Sequence, residues 1–206
     1  MRARFFAWSL ALAGLTCSAP ARAEPLEGLV LSAAVGPGLF RATSGTDPDK
    51  RTFRGETLSF HALVGGRIGR YVALGAAYLR DGVFGLRASD SVVDGDEPDL
   101  EHIRMFLSSY GLFLDVRVLD VPELHLQVFP CYGHLYVDGR ASNEVENPSG
   151  FVLAVAATAE FRVARRLTVG GGLRFTWAPM NVTETGRGGT DVTVLLPALL
   201  AVGRFD

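Results

Sequence analysis

Residues 151–178 read FVLAVAATAEFRVARRLTVGGGLRFTWA and alternate between two kinds of side chain. From Phe151 to Val163 every second residue is apolar or small, and the residues between them are small or polar. After a break at 164–166 the alternation resumes from Leu167 to Trp177. A period of two is typical of a β-strand, because successive side chains point to opposite faces. The stretch therefore predicts a hairpin of two strands, each with one apolar and one polar face.

The length and polarity of the two arms indicate where such a hairpin could lie. Each arm exceeds ten residues, whereas a strand in a globular protein usually has about 5–6. A tilted strand needs about 9–11 residues to cross a bilayer. The polar face carries Glu160, Arg162 and Arg174, and the apolar face ends in aromatic residues. Lipid outside and polar groups inside are typical of a transmembrane β-barrel.

The first 23 residues have the features of an export signal. Arg2 and Arg4 form a basic start, residues 5–16 are mostly apolar, and residues 21–23 form an Ala-Arg-Ala cleavage site. We expect residues 1–23 to be cleaved and residues 24–206 to form a single domain. Cleavage would remove three arginines and no acid, which changes the net charge from −2 to −5. This acidic balance gives no reason to expect a nucleic-acid partner.

The rest of the chain repeats the alternation and brings the predicted number of strands to eight. The alternation starts at Leu29 and recurs in residues 57–68, 71–80, 102–117, 124–137 and 191–205. The connections alternate in length, as they do in outer-membrane barrels with short periplasmic turns and long external loops. The long ones are expected at 41–54, 81–101, 138–150 and 178–190. The predicted fold is an all-β, eight-stranded antiparallel up-and-down transmembrane β-barrel.

On these residues the chain resembles the small outer-membrane barrels of OmpA-, OmpX- and OmpW-like type. The resemblance covers residues 26–205 and implies residence in the outer membrane, surrounded by its lipid. It also implies that the assembly machinery recognises the last strand, which ends at Phe205 after Leu195, Leu199 and Ala201. Asp206 after this aromatic residue departs from the family pattern.

Three prolines, Pro37, Pro130 and Pro197, fall inside predicted strands. A closed barrel offers no free edge, so each proline is expected to mark a bulge or a strand end.

Charged residues on the inward faces form a candidate polar network inside the barrel. Its members are Glu160, Arg162, Arg174, Arg67 and His61, with His125 and Asp115 as further candidates. One interpretation is a polar lining that guides a solute. The other is a packed salt-bridge network, because eight strands enclose just enough room for side chains and buried charges need partners. The sequence leaves open whether Arg162 or Arg174 meets Glu160.

No pattern predicts a catalytic, cofactor or metal site. The acidic segment 81–101 lacks the glycine spacing of an EF-hand. Ser142-Asn143 resembles part of the His-x-Ser-Asn motif of outer-membrane lipid A deacylases, but Arg140 stands where the histidine should be and cannot act as a base. Cys131 is the only cysteine beyond residue 23, so no internal disulfide is expected.

The sequence leaves four functional interpretations. We favour a non-enzymatic outer-membrane barrel whose surface loops contact the envelope or an unknown extracellular ligand. The main alternative is a narrow channel or carrier for small, hydrophobic solutes, since the inward face of the last strand is apolar (Val192, Val194, Leu196, Ala198, Leu200 and Val202). A lipid A-modifying hydrolase and a soluble lipocalin-like barrel are more remote.

Overall fold

The computed structural model describes residues 28–44, 51–89, 104–120, 123–138, 147–182 and 190–205. They form eight strands: β1 (Leu29–Ser44), β2 (Arg51–Ile68), β3 (Val72–Ser89), β4 (Arg104–Asp120), β5 (Glu123–Asp138), β6 (Ser149–Ala164), β7 (Leu167–Val182) and β8 (Thr190–Phe205). A helix with the length and apolarity to cross a bilayer is not found in this part of the chain.

The strands form one closed antiparallel barrel in sequence order, in which β8 pairs with β1. In the hairpin that decides the fold, Val155 lies opposite Phe175 and Ala157 lies opposite Leu173, so outward residues meet outward residues. The predicted fold class is therefore confirmed. Closure matters because every strand gains two neighbours and no unpaired edge remains.

The two faces of the wall have the predicted polarity. On β6 and β7, Val155, Phe161, Leu173, Phe175 and Trp177 are exposed on the outer surface. The residues that alternate with them on the other face are buried in the interior: Ala156, Thr158, Glu160, Arg174 and Thr176. A wall of exposed leucine, valine and aromatic side chains costs free energy in water but not in lipid, so the outer face suits a bilayer.

The barrel has two different ends. At one end of the barrel, which we call the turn end, β2 is followed by β3, β4 by β5 and β6 by β7 after only two or three residues. At the other end, which we call the loop end, β1 and β2, β3 and β4, β5 and β6, and β7 and β8 are separated by six or more residues. At the turn end Gly69 has a φ of 63°, a left-handed conformation that glycine adopts without steric cost.

The strands are longer than predicted. They contain 16 to 18 residues, and part of each of the four predicted long loops continues a strand instead. At about 3.3 Å per residue and a tilt near 40°, such strands are taller than the apolar band of about 25 Å. Beyond that band, backbone pairing continues where the outward side chains become polar, so the apolar pattern underestimates the strands.

The prediction for the three prolines was wrong, because each lies inside a strand whose register continues past it. Pro37 pairs with Leu58 of β2, and Pro197 pairs with Phe175 of β7. Between β1 and β8, however, pairing stops on either side of Gly38–Ala198 and resumes in the same register. In an antiparallel strand the N–H and C=O of one residue face the same neighbour. Each proline therefore removes a donor on only one side.

Other sequence predictions fall on residues that the structure leaves undescribed. The signal segment 1–23, His102, most of the acidic segment 81–101 and the Arg140–Asn143 segment lie outside the described residues. Their roles remain predictions.

The outer face predicts a depth-dependent response to charge. Leu173→Arg, in the middle of β7, should lower the free energy of unfolding in lipid vesicles by about 2–4 kcal/mol. Leu167→Arg, on the same strand and face but at the turn end, should cost about 0–1 kcal/mol because arginine reaches the interface there. Urea unfolding measures both. Equal costs would contradict the assignment of this face to lipid.

Candidate functional site in the barrel interior

The interior is filled by side chains at three levels. Near the turn end lies a group of charged residues, in the middle one further ion pair, and towards the loop end mainly apolar residues. The strands position these groups simply by alternation, since every inward position points into the same narrow space.

Arg204 on β8 is the centre of the charged group. Its Nη1 lies 2.7 Å from Oδ2 of Asp115 on β4, and its Nε lies 3.4 Å from Oε2 of Glu160 on β6. The same Nη1 lies 2.8 Å from Nδ1 of His125 on β5. Arg204 is 1% exposed. One buried guanidinium therefore links four strands, including strands that are not neighbours in the sheet.

His125 and Asp115 form a second contact in this group. Nδ1 of His125 lies 3.0 Å from Oδ1 of Asp115, and Nε2 lies 3.7 Å from Oε2 of Glu123. A single ring nitrogen can donate to Asp115 or accept from Arg204, but not both at once. The protonation of Nδ1 therefore decides which of these two contacts of His125 is a hydrogen bond.

Glu160 is fully buried and held by hydroxyl groups as well as by Arg204. Thr158 donates to Oε1 at 2.9 Å, and Thr168 on β7 donates to Oε2 at 2.8 Å. A carboxylate in the interior needs such donors because it has lost its hydration. Both of its oxygens are satisfied within the wall.

Glu123 is the anion nearest to the turn end. Arg162 donates to its Oε1 at 2.9 Å, and Arg117 lies 3.0 Å from the same oxygen. The side chain of Arg162 is 22% exposed, so this pair lies at the mouth of the barrel. With Arg204, Asp115 and Glu160, the group contains three arginines and three carboxylates. Its formal charges balance when His125 is neutral.

The middle of the barrel contains an ion pair between Arg174 on β7 and Asp81 on β3. Both side chains are buried, and Arg174 also donates to the carbonyl oxygen of Phe60 at 3.3 Å. Strands β3 and β7 lie on opposite sides of the barrel. The pair therefore spans the lumen.

His61 lies at a similar level but plays a different part. Its ring packs against Phe129 with centroids 5.6 Å apart. Among the described residues neither of its ring nitrogens has a hydrogen-bond partner, and the same is true of the Gln127 side chain. Such buried polar atoms are commonly satisfied by internal water.

The loop-end half of the interior is mainly apolar, with the buried hydroxyl residues Thr57 and Ser109 among the exceptions. Contributions come from all eight strands. They include Phe40, Ala42, Phe53, Val83, Leu86, Met105, Leu107, Leu135, Val152, Ala178, Met180, Val194 and Leu196. Val194 and Leu196, from the inward apolar face predicted for β8, are part of this packing.

The predicted polar residues are divided between these groups. Glu160 and Arg162 belong to the charged group, whereas Arg174 pairs with Asp81 instead. Neither arginine meets Glu160. Arg67 is half-buried at the end of β2.

Four residues of these two groups were missing from the predicted network: Arg204, Glu123, Arg117 and Asp81. Arg204 could have been found from its inward position next to the outward Phe205. The ion-pair partners of these four residues could not have been predicted, because most of the pairs join strands that are distant in sequence.

On the outer wall His134 lies between Ser108 and Ser149 in the strand register. The geometry nevertheless differs from a hydrolytic site. Nε2 of His134 contacts the Tyr110 hydroxyl at 3.4 Å, and Ser149 accepts a hydrogen bond from Tyr132. The contacts of these described side chains therefore pair His134 with a tyrosine and Ser149 with another tyrosine, rather than His134 with either serine.

Within the described residues, no group of three or more His, Cys, Asp or Glu side chains is arranged to hold a metal ion. Cys131 is a free thiol buried in the interior. It packs among the interior side chains, and its wall neighbours across the strands are Gly111 and Val152.

The fold is shared with known outer-membrane proteins. Neisserial surface protein A aligns over 86% of this chain and 96% of its own, with a TM-score of 0.53 and 14% identity. The outer membrane protein OprG from Pseudomonas aeruginosa aligns over 88% and 98%, with a TM-score of 0.50 and 9% identity. The predicted resemblance to small outer-membrane barrels is confirmed at the level of the fold. No protein-family model and no curated protein matches the sequence.

The central arginine predicts a large loss of stability on its removal. Arg204→Met leaves Asp115 and Glu160 buried without this cation and should lower the free energy of unfolding by about 3–5 kcal/mol. Arg166→Met, on the exposed turn between β6 and β7, is the matched control and should change it by less than about 0.5 kcal/mol. Urea titration in vesicles measures both values. A similar small effect for both variants would exclude Arg204 as the centre.

The pair across the lumen predicts a strongly non-additive result. Asp81→Leu leaves Arg174 without its charged partner and should lower the free energy of unfolding by about 3–5 kcal/mol. Asp81→Leu combined with Arg174→Met removes both charges and should lower it much less. The same unfolding measurement gives the coupling energy. Additive costs would indicate that water, rather than the partner, stabilises each charge.

Proposed function

We propose that the chain is a non-enzymatic integral protein of the outer membrane with a closed lumen. Its barrel serves as a rigid support, and the connections at the loop end contact the envelope surface or an extracellular ligand. On this proposal residues 1–23 are removed during export and residues 24–206 form the mature protein.

The observation that carries the proposal is that buried side chains occupy the interior at the turn end, in the middle and at the loop end. A conducting path would have to pass the Arg174–Asp81 pair and the group around Arg204, all buried. Opening such a path would separate these buried ion pairs, which is costly in a confined interior. An eight-stranded barrel gains little room in return.

The proposed orientation and assembly follow from the two ends. Short turns face the periplasm in outer-membrane barrels, so the turn end is periplasmic and the loop end extracellular. Phe205 ends β8 at the turn end and faces outward. It pairs with Leu31 on β1 and with Leu167 on β7. This exposed aromatic is suited to recognition by the assembly machinery before the barrel closes.

The absence of a paired base and nucleophile at His134 supports the non-enzymatic part of the proposal. The alternative of a carrier for small hydrophobic solutes is supported by the apolar loop-end interior, including Val194 and Leu196. In the carrier these side chains would move apart to admit a solute, whereas in the closed barrel they are permanent packing.

Electrical recording distinguishes the two. Reconstituted in planar bilayers, the protein should show no steady ionic conductance, because the ion pairs obstruct the lumen. Glu160→Ala should lower the stability of the barrel by several kcal/mol, since Arg204 loses a buried partner. A stable Glu160→Ala variant with a measurable and altered ion selectivity would favour the channel instead, and saturable uptake of a hydrophobic dye into vesicles would favour the carrier.

A further inference from the structure

Three arginines form a row across the outer wall near the loop end. Arg41 on β1 lies directly opposite Arg54 on β2, and Arg54 lies directly opposite Arg87 on β3. All three are exposed on the outer face. Side chains directly opposite each other on neighbouring strands have Cβ atoms about 4.5–5.5 Å apart, and like charges in that position destabilise a sheet.

The row has little compensation from the described part of the protein. Glu56 is the only carboxylate with a described side chain on the outer wall, since Asp81, Asp115, Glu123 and Glu160 are all buried inside. Glu56 lies directly opposite Leu39 and Phe84, two positions from Arg54 on the same face and diagonal to Arg41, so it can offset one positive charge at most. Even with Glu56 counted, the arginine row retains an excess positive charge.

The row also has a defined height. On β1 the outward residues from Leu29 to Leu39 are all apolar, and Arg41 is the next outward residue. Ten residue steps at about 3.3 Å and a tilt near 40° correspond to about 25 Å along the barrel axis, which is the thickness of the lipid-facing band. On β2 the apolar outward residues likewise end at Leu58, two outward positions below Arg54. The arginine row therefore lies just beyond the hydrocarbon, among lipid headgroups.

The other side of the barrel is different at the same level. There the outer wall carries an aromatic cluster of Tyr110, Tyr132, His134 and Tyr136, in which neighbouring ring centroids are 5.2–6.4 Å apart. Aromatic residues of this kind form the interfacial girdle of outer-membrane barrels, and they need no counterion there. The row of three arginines thus lies on the β1–β3 side, and one further exposed arginine, Arg104, lies beside it at the loop end of β4.

We propose that the arginine row binds the phosphate groups of a phosphorylated lipid of the outer leaflet. The inference rests on the proposed outer-membrane location and adds a ligand to it. Guanidinium groups bind phosphate through two parallel N–H···O bonds, and adjacent guanidiniums can share one phosphate. The lipid anchors its chains in the bilayer beside β1 and β2, while its phosphates supply the anions that the arginines lack.

The test uses the full-length protein refolded in a neutral detergent, titrated with diphosphorylated lipid A and followed by native mass spectrometry. Replacing Arg41, Arg54 and Arg87 by glutamine should weaken binding by about tenfold or more, the loss expected when several charge-assisted hydrogen bonds disappear. Arg54→Lys keeps the charge but not the fork and should give an intermediate loss. Arg166→Gln, at the turn end, is the charge-matched control and should bind as the unaltered protein does.

Thermal unfolding gives an independent reading with an opposite sign. Without lipid, Arg54→Gln should raise the midpoint of unfolding, because it relieves repulsion in the row. Lipid A should raise the midpoint of the unaltered protein by ligand linkage and that of the triple variant much less. A midpoint lowered by Arg54→Gln in lipid-free detergent would instead mean that carboxylates of the chain itself already pair with the row, and would overturn the proposal.

Three further results would also overturn it: equal lipid A binding by the triple variant and the unaltered protein, equal weakening by Arg166→Gln, or tighter binding of soluble inositol hexaphosphate than of lipid A. The last would indicate a site for a soluble polyanion. Failure of the proposed location is a separate outcome, since it would appear as failure to insert into lipid vesicles, whichever arginines are present.

Discussion

The narrowness of an eight-stranded barrel is the constraint on which the rest of the structure depends. Its interior has room for side chains and little else, so each inward charge must find its partner across the lumen. Arg204 meets this requirement for Asp115 and Glu160, and Arg174 meets it for Asp81. These contacts join strands that do not pair in the sheet, so they fix the cross-section as well as fill it.

The same constraint gives the interior and the outer wall different roles. Inside, oppositely charged side chains pair near the turn end, and apolar side chains pack together near the loop end. Outside, the wall is mainly apolar over a bilayer thickness, with Arg80 as an exception, and the three arginines of the row outnumber Glu56, the one outer-wall carboxylate among the described side chains. The interior is therefore suited to stability. Interaction belongs to the outer wall and to the connections at the loop end.

The sequence predicted what depends on alternation and not what depends on three-dimensional closure. Period two assigned Glu160 to the interior and Leu173 to the outer face, both correctly. It could not choose the partner of Glu160, because Arg204 approaches it from a strand more than forty positions away in sequence. It also underestimated the strands, since their outer ends are polar. The prediction for the prolines was wrong because the missing N–H of a proline affects pairing with only one neighbouring strand. The register of β1 with β2 continues unbroken through Pro37.

The most direct test of a filled interior uses the thiol of Cys131, which lies inside the barrel and is 4% exposed. With Cys17 replaced by serine, the protein in lipid vesicles would be treated with a small charged methanethiosulfonate reagent, and modification would be followed by mass. A packed lumen predicts no modification of the folded barrel and complete modification after unfolding in urea. Rapid modification of the folded protein would show a water-filled lumen and contradict the account.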